Sequence, residues 1–262
     1  MINNVTKHNF LNLNKVVHGF FSSSGGFSKG PYKSLNCSFN NEDNKKNVFK
    51  NLEKIRNHLC LKQLIQIKQI HSNKVIHLKK SNFLKPVEAD GMVTKMNDVG
   101  LCILTADCSP VLFYDDKEMI IGACHAGWKG ALNEIIKSTV QKMEKIGSRK
   151  QNITAVIGPT IQKNSYEIGS EVNQLIMQTD VFKKNKDVIF SLKNNKYLFD
   201  LPLFIKEKLL IIGIDKIGDV HLDTYTNKQF FSYRRKTHEN AKNKKNNNNS
   251  FTGRQISIIG LI

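Results

Sequence analysis

The stretch TADCSPVLFYDDKEMIIGACHAGWKG, residues 105–130, decides the fold of this chain. Two apolar segments, residues 110–114 and 119–123, are joined by a short acidic turn, and this pattern predicts a β-hairpin. Cys108 and His125 stand at the two open ends of that hairpin, so strand pairing brings them together at one rim of a sheet. A thiol and an imidazole on rigid strands form either a metal site or a nucleophile–base pair.

The bulk properties predict one soluble domain covering residues 1–262. The chain has 262 residues and is 40% hydrophobic, and it shows neither an internal repeat nor a long linker. Its five cysteines form no CxxC pair, which argues against a disulfide framework. We find no signal-peptide-like apolar region and no apolar run approaching ~18 residues. The sequence therefore predicts a cytoplasmic protein without a membrane segment.

The charge is strongly positive, with a formal net value of +18. Such a surface attracts anions. The lysines are spread along the chain and are not interleaved with aromatic residues, so we do not expect nucleic-acid binding and favour weak steering of anionic substrates. The polar, low-complexity segment KTHENAKNKKNNNNS, residues 236–250, predicts a mobile surface insertion because it cannot bury apolar area.

Hydrophobic periodicity predicts a mixture of helices and strands. Residues 44–60 and 130–146 have the apolar spacing of amphipathic helices, whereas residues 16–21, 100–104 and 153–157 resemble short strands. The elements do not alternate strictly as βαβ units, which favours an α+β fold over a doubly wound one.

A second histidine, His71 in QIHSNKV, lies between two strand-like segments. Alone it would suggest only a hydrogen-bonded structural residue. Together with Cys108 and His125 it makes a set of two imidazoles and one thiolate, and three protein ligands leave a fourth position for water, as in catalytic zinc sites. Zinc lowers the pKa of bound water to about 7.

Three further side chains are candidates for the site, each with an equally plausible structural role. Asp107 could orient His125 or act as a general base, or it could cap the turn. Trp128, the only tryptophan, could wall a substrate pocket or belong to the core. His18, in VHGF, could bind substrate or pack in the core.

Two adjacent arginines, Arg234 and Arg235 in FFSYRR, are candidate substrate-binding residues. Taken as a strand, the segment would point one of them toward a pocket and the other toward a carboxylate partner. A guanidinium group can bind phosphate through a fork of hydrogen-bond donors. The alternative is that both arginines are simply solvated on the surface. Arg254, in TGR, presents the same choice.

Taken together, the motifs of this chain resemble the YfiH-type laccase-domain family, which is also called the multicopper polyphenol oxidase or purine nucleoside phosphorylase family. The resemblance covers essentially the whole chain, and TADC and HAGWKG are its most diagnostic parts. The motifs occur in the family order: HGFFSSSGGFSKGPYKSLN, QIHSNKV, ADGMVT, TADCSPVLFYD, GACHAGWKG, IGPTIQKNSYEIGSEV, FFSYRR and TGRQISIIGL.

The resemblance implies a single-domain, layered α-β-β-α sandwich like that of bacterial toxin deamidases. It implies a metal site of His71, Cys108 and His125, holding zinc or, in an older assignment, copper. It also implies phosphorolysis of adenosine, inosine, guanosine and methylthioadenosine, with deamination of adenosine, so that purine nucleoside and phosphate are the expected partners. Asp107 would then shuttle protons.

One position departs from the family pattern. The Gly-rich loop of the family usually carries an arginine where this chain has Ser23, which removes a candidate phosphate anchor, and Arg234 or Arg235 could replace it.

Three other functions stay open at this point. A copper polyphenol oxidase fits less well, because the chain has eight histidines and no HxH pair. A metal-free hydrolase or deamidase could use Cys108 with His125 as its base. A binding module driven by the positive charge would lose affinity at high salt.

Overall fold

The computed structural model describes residues 5–12, 14–80, 87–192, 196–242 and 251–262. Within these ranges the strands are β1 Val5–Thr6, β2 Val16–Phe21, β3 Gln63–Gln66, β4 Val75–His77, β5 Gly91–Thr94, β6 Val99–Thr105, β7 Ser109–Asp115, β8 Ile120–Ala126, β9 Ile153–Ile157, β10 Glu167–Ile168, β11 Ile189–Ser191, β12 Tyr197–Phe199, β13 Lys216–Asp219 and β14 Gln255–Leu261. The α-helices are α1 Lys45–His58, α2 Trp128–Leu132, α3 Ile135–Glu144, α4 Ser170–Met177, α5 Asp180–Lys184, α6 Leu201–Ile211 and α7 Tyr233–Lys242.

Two large mixed sheets form the centre of the molecule. One sheet has the strand order β1-β2-β14-β6-β3, and the other has the order β13-β9-β7-β8-β5-β4. A small third sheet has the order β10-β12-β11. In the first sheet, β14 lies antiparallel between β2 and β6, so the strand that comes last in the chain holds that sheet together.

Apolar side chains divide the structure into four layers. One cluster packs α1 on the outer face of the five-stranded sheet, a second fills the space between the two sheets, and a third packs α3 and α6 on the outer face of the six-stranded sheet. Burial of apolar surface at three successive interfaces is what stabilises such a stack. The predicted α-β-β-α sandwich of class α+β is therefore confirmed.

The predicted hairpin is formed by β7 and β8, which pair antiparallel. All fourteen of their residues are buried, because both faces of the six-stranded sheet are covered. Successive side chains alternate between the faces: Val111 and Phe113 belong to the helix-side cluster, and Leu112 and Tyr114 to the cluster between the sheets. His125 is opposite Pro110, two residues from Cys108.

The helix predicted over residues 130–146 is two helices, α2 and α3. Glu134 separates them, because its φ of 69° is left-handed and a right-handed helix cannot continue through it. The Glu134 carboxylate forms an ion pair with the ammonium group of Lys208 on α6, a contact that apolar periodicity does not reveal.

The polar segment predicted as an insertion from residue 236 begins instead as helix. Residues 236–242 belong to α7, whose first turn is held by side-chain acceptors: Asp107 Oδ2 accepts from Arg234 N at 2.7 Å, and Ser232 Oγ accepts from Arg235 N at 3.1 Å. Side-chain oxygens at a helix N-terminus satisfy donors that have no partner within the helix. The remainder of the predicted insertion, residues 243–250, lies outside the described residues. Among the residues the structure does describe, no helix has the length and apolar character needed to cross a bilayer.

Candidate metal centre

Three side chains from distant parts of the chain converge at the rim between the two sheets. Cys108 directly precedes β7, His125 lies near the end of β8, and His71 lies in the loop after β3. One donor atom of each falls within 4.8 Å of the others. Cys108 Sγ lies 4.0 Å from His71 Nε2, and the two imidazole centroids are 4.7 Å apart at 75°.

The donor set fits zinc. Tetrahedral bonds of 2.3 Å to sulfur and 2.0–2.1 Å to nitrogen place those two ligands about 3.6 Å apart. The Sγ–Nε2 distance of 4.0 Å therefore needs only a small contraction. Two imidazoles and one thiolate also leave a fourth position of the tetrahedron for solvent or substrate.

Asp90, directly before β5, orients two of the three candidate ligands. Its carboxylate is fully buried. One oxygen lies 2.9 Å from His125 Nδ1 and accepts from the His71 amide at 3.0 Å. The other oxygen accepts from Ile70 N and from both the amide and the hydroxyl of Ser72. With Nδ1 engaged in this way, the Nε2 atom of His125 is the one left for a ligand, which is the arrangement found behind many metal-binding histidines.

His71 occupies a strained backbone conformation with a φ of 61°, which non-glycine residues rarely adopt. The amide contacts with Asp90 fix this conformation. The preceding loop is held at a second point, where Gln69 accepts from Leu104 N and donates to Leu104 O, each at 2.8 Å. Contacts with Asp90, next to β5, and with Leu104, in β6, thus hold the His71 loop in place before any ion binds. The candidate ligand is in this sense preorganised.

Gly127 leaves room for the cluster. A Cβ atom at this position would lie 2.8 Å from Cys108 Sγ and 3.2 Å from His71 Cδ2. The φ of −72° at Gly127 is open to every residue type, so the backbone conformation does not require glycine there. Glycine is needed because the Cys108 and His71 side chains approach its Cα closely.

The titration of the cluster favours a thiolate near neutral pH. Burial acts to raise the pKa of the Cys108 thiol, but the charge and hydrogen bonds of His125 and His71 outweigh it and lower the pKa to about 6. Burial acts to lower the pKa of His125, but Cys108 and Asp90 together raise it to about 9. Burial acts to raise the pKa of Asp90, yet hydrogen bonds from His125 and Ser72 bring it down to about 2. A thiolate is the form that binds metals.

The three candidate ligands open into a cavity of about 390 Å³, within the size range of small-molecule sites. The Thr105 hydroxyl is buried there and has no hydrogen-bond partner within the described ranges. The other lining residues include apolar, polar and cationic side chains: Ser38, Asn40, Asn41, Ile67, Gln69, Leu104, Ala106, Tyr233 and Arg254.

One of our alternatives was that Asp107 orients His125. The structure shows instead that Asp90 orients this histidine. The Asp107 carboxylate instead accepts from the Thr224 hydroxyl at 2.7 Å and from the amide of Arg234. The second of these contacts caps the N-terminus of α7, which differs from the other alternative, a cap of the turn at Asp107 itself. Its role in proton transfer stays a prediction.

His18 and Trp128 adopt the core alternatives. His18 is 1% exposed, and its Nε2 accepts from the His8 amide at 2.9 Å. Burial, followed by the nearby charges of Lys7 and His8, lowers its pKa to about 4. Trp128 starts α2 and packs against the helix-side core. Neither residue is among those lining the 390 Å³ cavity, and substrate contact by either of them stays a prediction.

Arg234 and Arg235 lie on helix α7, so the strand geometry assumed for them is wrong. Arg234 donates to the Glu167 carbonyl at 2.8 Å and stacks on the ring of Tyr166 at 5.3 Å. Arg235 donates to backbone carbonyls, among them those of residues 224, 225 and 230.

Neither arginine lines the 390 Å³ cavity. Arg235 lines a separate cavity of about 190 Å³ together with Ser23, the position where the family pattern has an arginine. The arginine that does face the candidate ligands is Arg254.

The fold and the site define a layered α+β protein with a His–Cys–His donor cluster between its sheets. The chain belongs to the family described as multi-copper polyphenol oxidoreductase laccase, whose profile matches residues 17–262. The purine nucleoside phosphorylase YfiH of Escherichia coli is 30% identical in an alignment of 241 residues that covers 91% of this chain and 90% of that protein.

Two further similarities agree. A purine nucleoside phosphorylase of Rickettsia prowazekii is 35% identical in an alignment of 217 residues that covers 79% of this chain and 89% of that protein. The crystal structure of the Bacillus licheniformis hypothetical protein YfiH has a TM-score of 0.86 and 27% identity, and covers 99% of this chain and 100% of that chain. The names of the curated relatives support an enzyme.

Proposed function

We propose that this protein is a zinc-dependent enzyme that cleaves purine nucleosides with phosphate and also deaminates adenosine. The expected substrates are adenosine, inosine, guanosine and methylthioadenosine. The observation that carries the proposal is the convergence of His71, Cys108 and His125 on one point at the wall of a cavity. The names of the relatives supply the substrate class.

The three candidate ligands hold the ion, which when bound supplies Lewis acidity toward a substrate atom or a water. The protein's own residues do the rest. Asp90 keeps the ligands aligned, so little reorganisation is needed during the reaction.

Proton transfer during deamination needs a group that can exchange a proton with the substrate. Asp107 stays our candidate for that role, with both of its carboxylate oxygens engaged in the structure.

A metal-free cysteine hydrolase is the second candidate, and one observation favours it. With the pKa of Cys108 lowered to about 6 and that of His125 raised to about 9, the two form a thiolate–imidazolium pair at neutral pH. Copper-dependent oxidation of phenols rests on the description of the family. The described residues hold one cluster of metal-donor side chains, whereas multicopper oxidation needs several.

The test is incubation of metal-analysed protein with adenosine, with and without phosphate. Release of adenine only when phosphate is present supports phosphorolysis, and formation of inosine supports deamination. We expect Cys108→Ala to abolish both reactions without loss of the folded circular dichroism spectrum. Full turnover by this variant would refute the proposal. Hydrolysis that persists after metal removal but requires Cys108 would favour the metal-free candidate.

A further inference from the structure

Arg254 is a guanidinium group without a carboxylate partner at the wall of the candidate active-site cavity. The residue directly precedes β14 and lines the same cavity as His71, Cys108 and His125. Its Nη1 donates to the carbonyls of Thr252 and Gly253 at 3.1 and 3.0 Å. In the described part of the chain it forms no salt bridge, and Nε and Nη2 have no protein acceptor.

Three of the other four arginines in the chain have their guanidinium groups engaged. Arg56 is paired with Glu53, Arg234 lies on an aromatic ring, and Arg235 is occupied by backbone carbonyls. Burial lowers the pKa of Arg254, opposed by the negative charges of Cys108 and Asp107, but an arginine keeps its charge in proteins. A partly buried cation that forms no ion pair with a carboxylate is costly unless a ligand supplies an anionic partner.

The wall around Arg254 is held by a buried amide network. Asn36 and Asn51 are fully buried. Asn36 Oδ1 accepts from the Arg254 amide at 2.9 Å, and Asn36 Nδ2 donates to Asn41 Oδ1 at 3.3 Å. Asn51 in turn donates to the Asn36 carbonyl at 2.8 Å. The loop that brings Ser38, Asn40 and Asn41 to the cavity is thus fixed to the start of β14.

From this arrangement we infer that Arg254 forms, with Ser38, Asn40 and Asn41, an oxyanion subsite in the cavity that also holds the candidate metal ligands. A guanidinium fork with two free donor positions has the chemistry for a phosphate group, and the neutral side chains of Ser38, Asn40 and Asn41 line the same cavity. The inference rests on the proposed function in one respect: the subsite would receive the phosphate that attacks the nucleoside. The same chemistry would also bind a phosphate attached to the substrate.

The experiment is calorimetric titration of metal-loaded protein with inorganic phosphate and, separately, with adenosine 5′-monophosphate. Ionic strength is held constant with chloride, because a chain of formal charge +18 attracts anions unspecifically. We compare wild type with Arg254→Gln, Arg254→Lys and the control Arg149→Gln. Arg149 is an exposed arginine, so the control removes the same charge away from the cavity.

We expect Arg254→Gln to weaken phosphate binding at least about tenfold, Arg254→Lys to weaken it less, and Arg149→Gln to leave it unchanged. Circular dichroism and metal content show whether each variant is folded and loaded. Arg254-dependent binding of adenosine 5′-monophosphate alone would identify a substrate phosphate as the anion. The inference is overturned if wild type binds neither anion, or if folded Arg254→Gln and Arg254→Lys bind both as wild type does.

Turnover separates this inference from the proposed function. In a working phosphorylase, the KM for phosphate rises in Arg254→Gln, and the KM for adenosine changes less. If wild type releases no adenine at any phosphate concentration, the proposed function fails, and the titration still decides whether the subsite exists.

Discussion

Replacing Gly127 by alanine tests whether the three donors act as a metal site. The new Cβ would lie 2.8 Å from Cys108 Sγ, so the sulfur must retreat by at least about 0.6 Å to reach an ordinary contact distance. Metal–ligand distances tolerate deviations of about 0.2 Å. The substitution therefore displaces the sulfur by about three times what coordination allows, and we expect zinc affinity to fall at least about tenfold.

Gly169 provides a matched control for this substitution. Gly127 precedes α2 with φ −72° and ψ 171°, and Gly169 precedes α4 with φ −83° and ψ 172°. A Cβ at Gly169 meets nothing within 4 Å. Both alanine variants thus carry the same small cost of an alanine before a helix, and only one disturbs the cluster.

The assay is competition for zinc with a chromophoric chelator at pH 7, supported by thermal unfolding of the metal-free proteins. Gly127→Ala should lose the competition at chelator concentrations where Gly169→Ala still retains its zinc. Equal zinc affinity in the two folded variants would refute the reasoning, because the sulfur would then not be a ligand, or the close contact would not exist.

Two further predictions concern side chains behind the site and away from it. Asp90→Asn should lower zinc affinity about 10- to 100-fold, since an amide side chain cannot accept from His125 and from the backbone amides of residues 70–72 at once. The same chelator competition measures the affinity, with the exposed Asp116→Asn as control. An unchanged zinc affinity would show that Asp90 does not align the ligands. The pKa of His18 is about 4 in the folded protein against 6.5 as its ordinary value. Its contribution to the free energy of unfolding is therefore complete above pH 6.5, and about 2 to 3 kcal/mol of it is lost as the pH falls toward 4. Urea unfolding at pH 7 and pH 4.5 should therefore show a smaller pH dependence for His18→Gln than for wild type, and equal slopes would mean that this histidine titrates normally.

The sequence predicts this fold well where the pattern is local and apolar. The two apolar segments on either side of the turn at Asp115 form the predicted hairpin, and β2 and β9 have the predicted bounds. The break between α2 and α3 was not predictable from periodicity, because it depends on the left-handed conformation of Glu134 and its contact with Lys208 on α6.

The site divides in the same way. His71, Cys108 and His125 were identifiable because their motifs resemble a family, and the structure brings them together. Asp90 was missed as a functional residue although ADGMVT was noted, because nothing in an Asp-Gly pair shows that its carboxylate reaches residues 70–72 and 125. Arg254 and Arg235 look alike in sequence, and only the tertiary structure shows which one faces the candidate ligands.

The position of β14 has a consequence for synthesis of the protein on the ribosome. This strand pairs with β2 and β6 in the middle of its sheet, and Arg254 stands at its entrance. While residues 255–261 are still within the exit tunnel, β6 lacks its neighbour and the loop carrying Asn36 lacks its anchor. The part of the cavity wall that Arg254 supplies beside Cys108 therefore cannot form until residues 255–261 have left the tunnel.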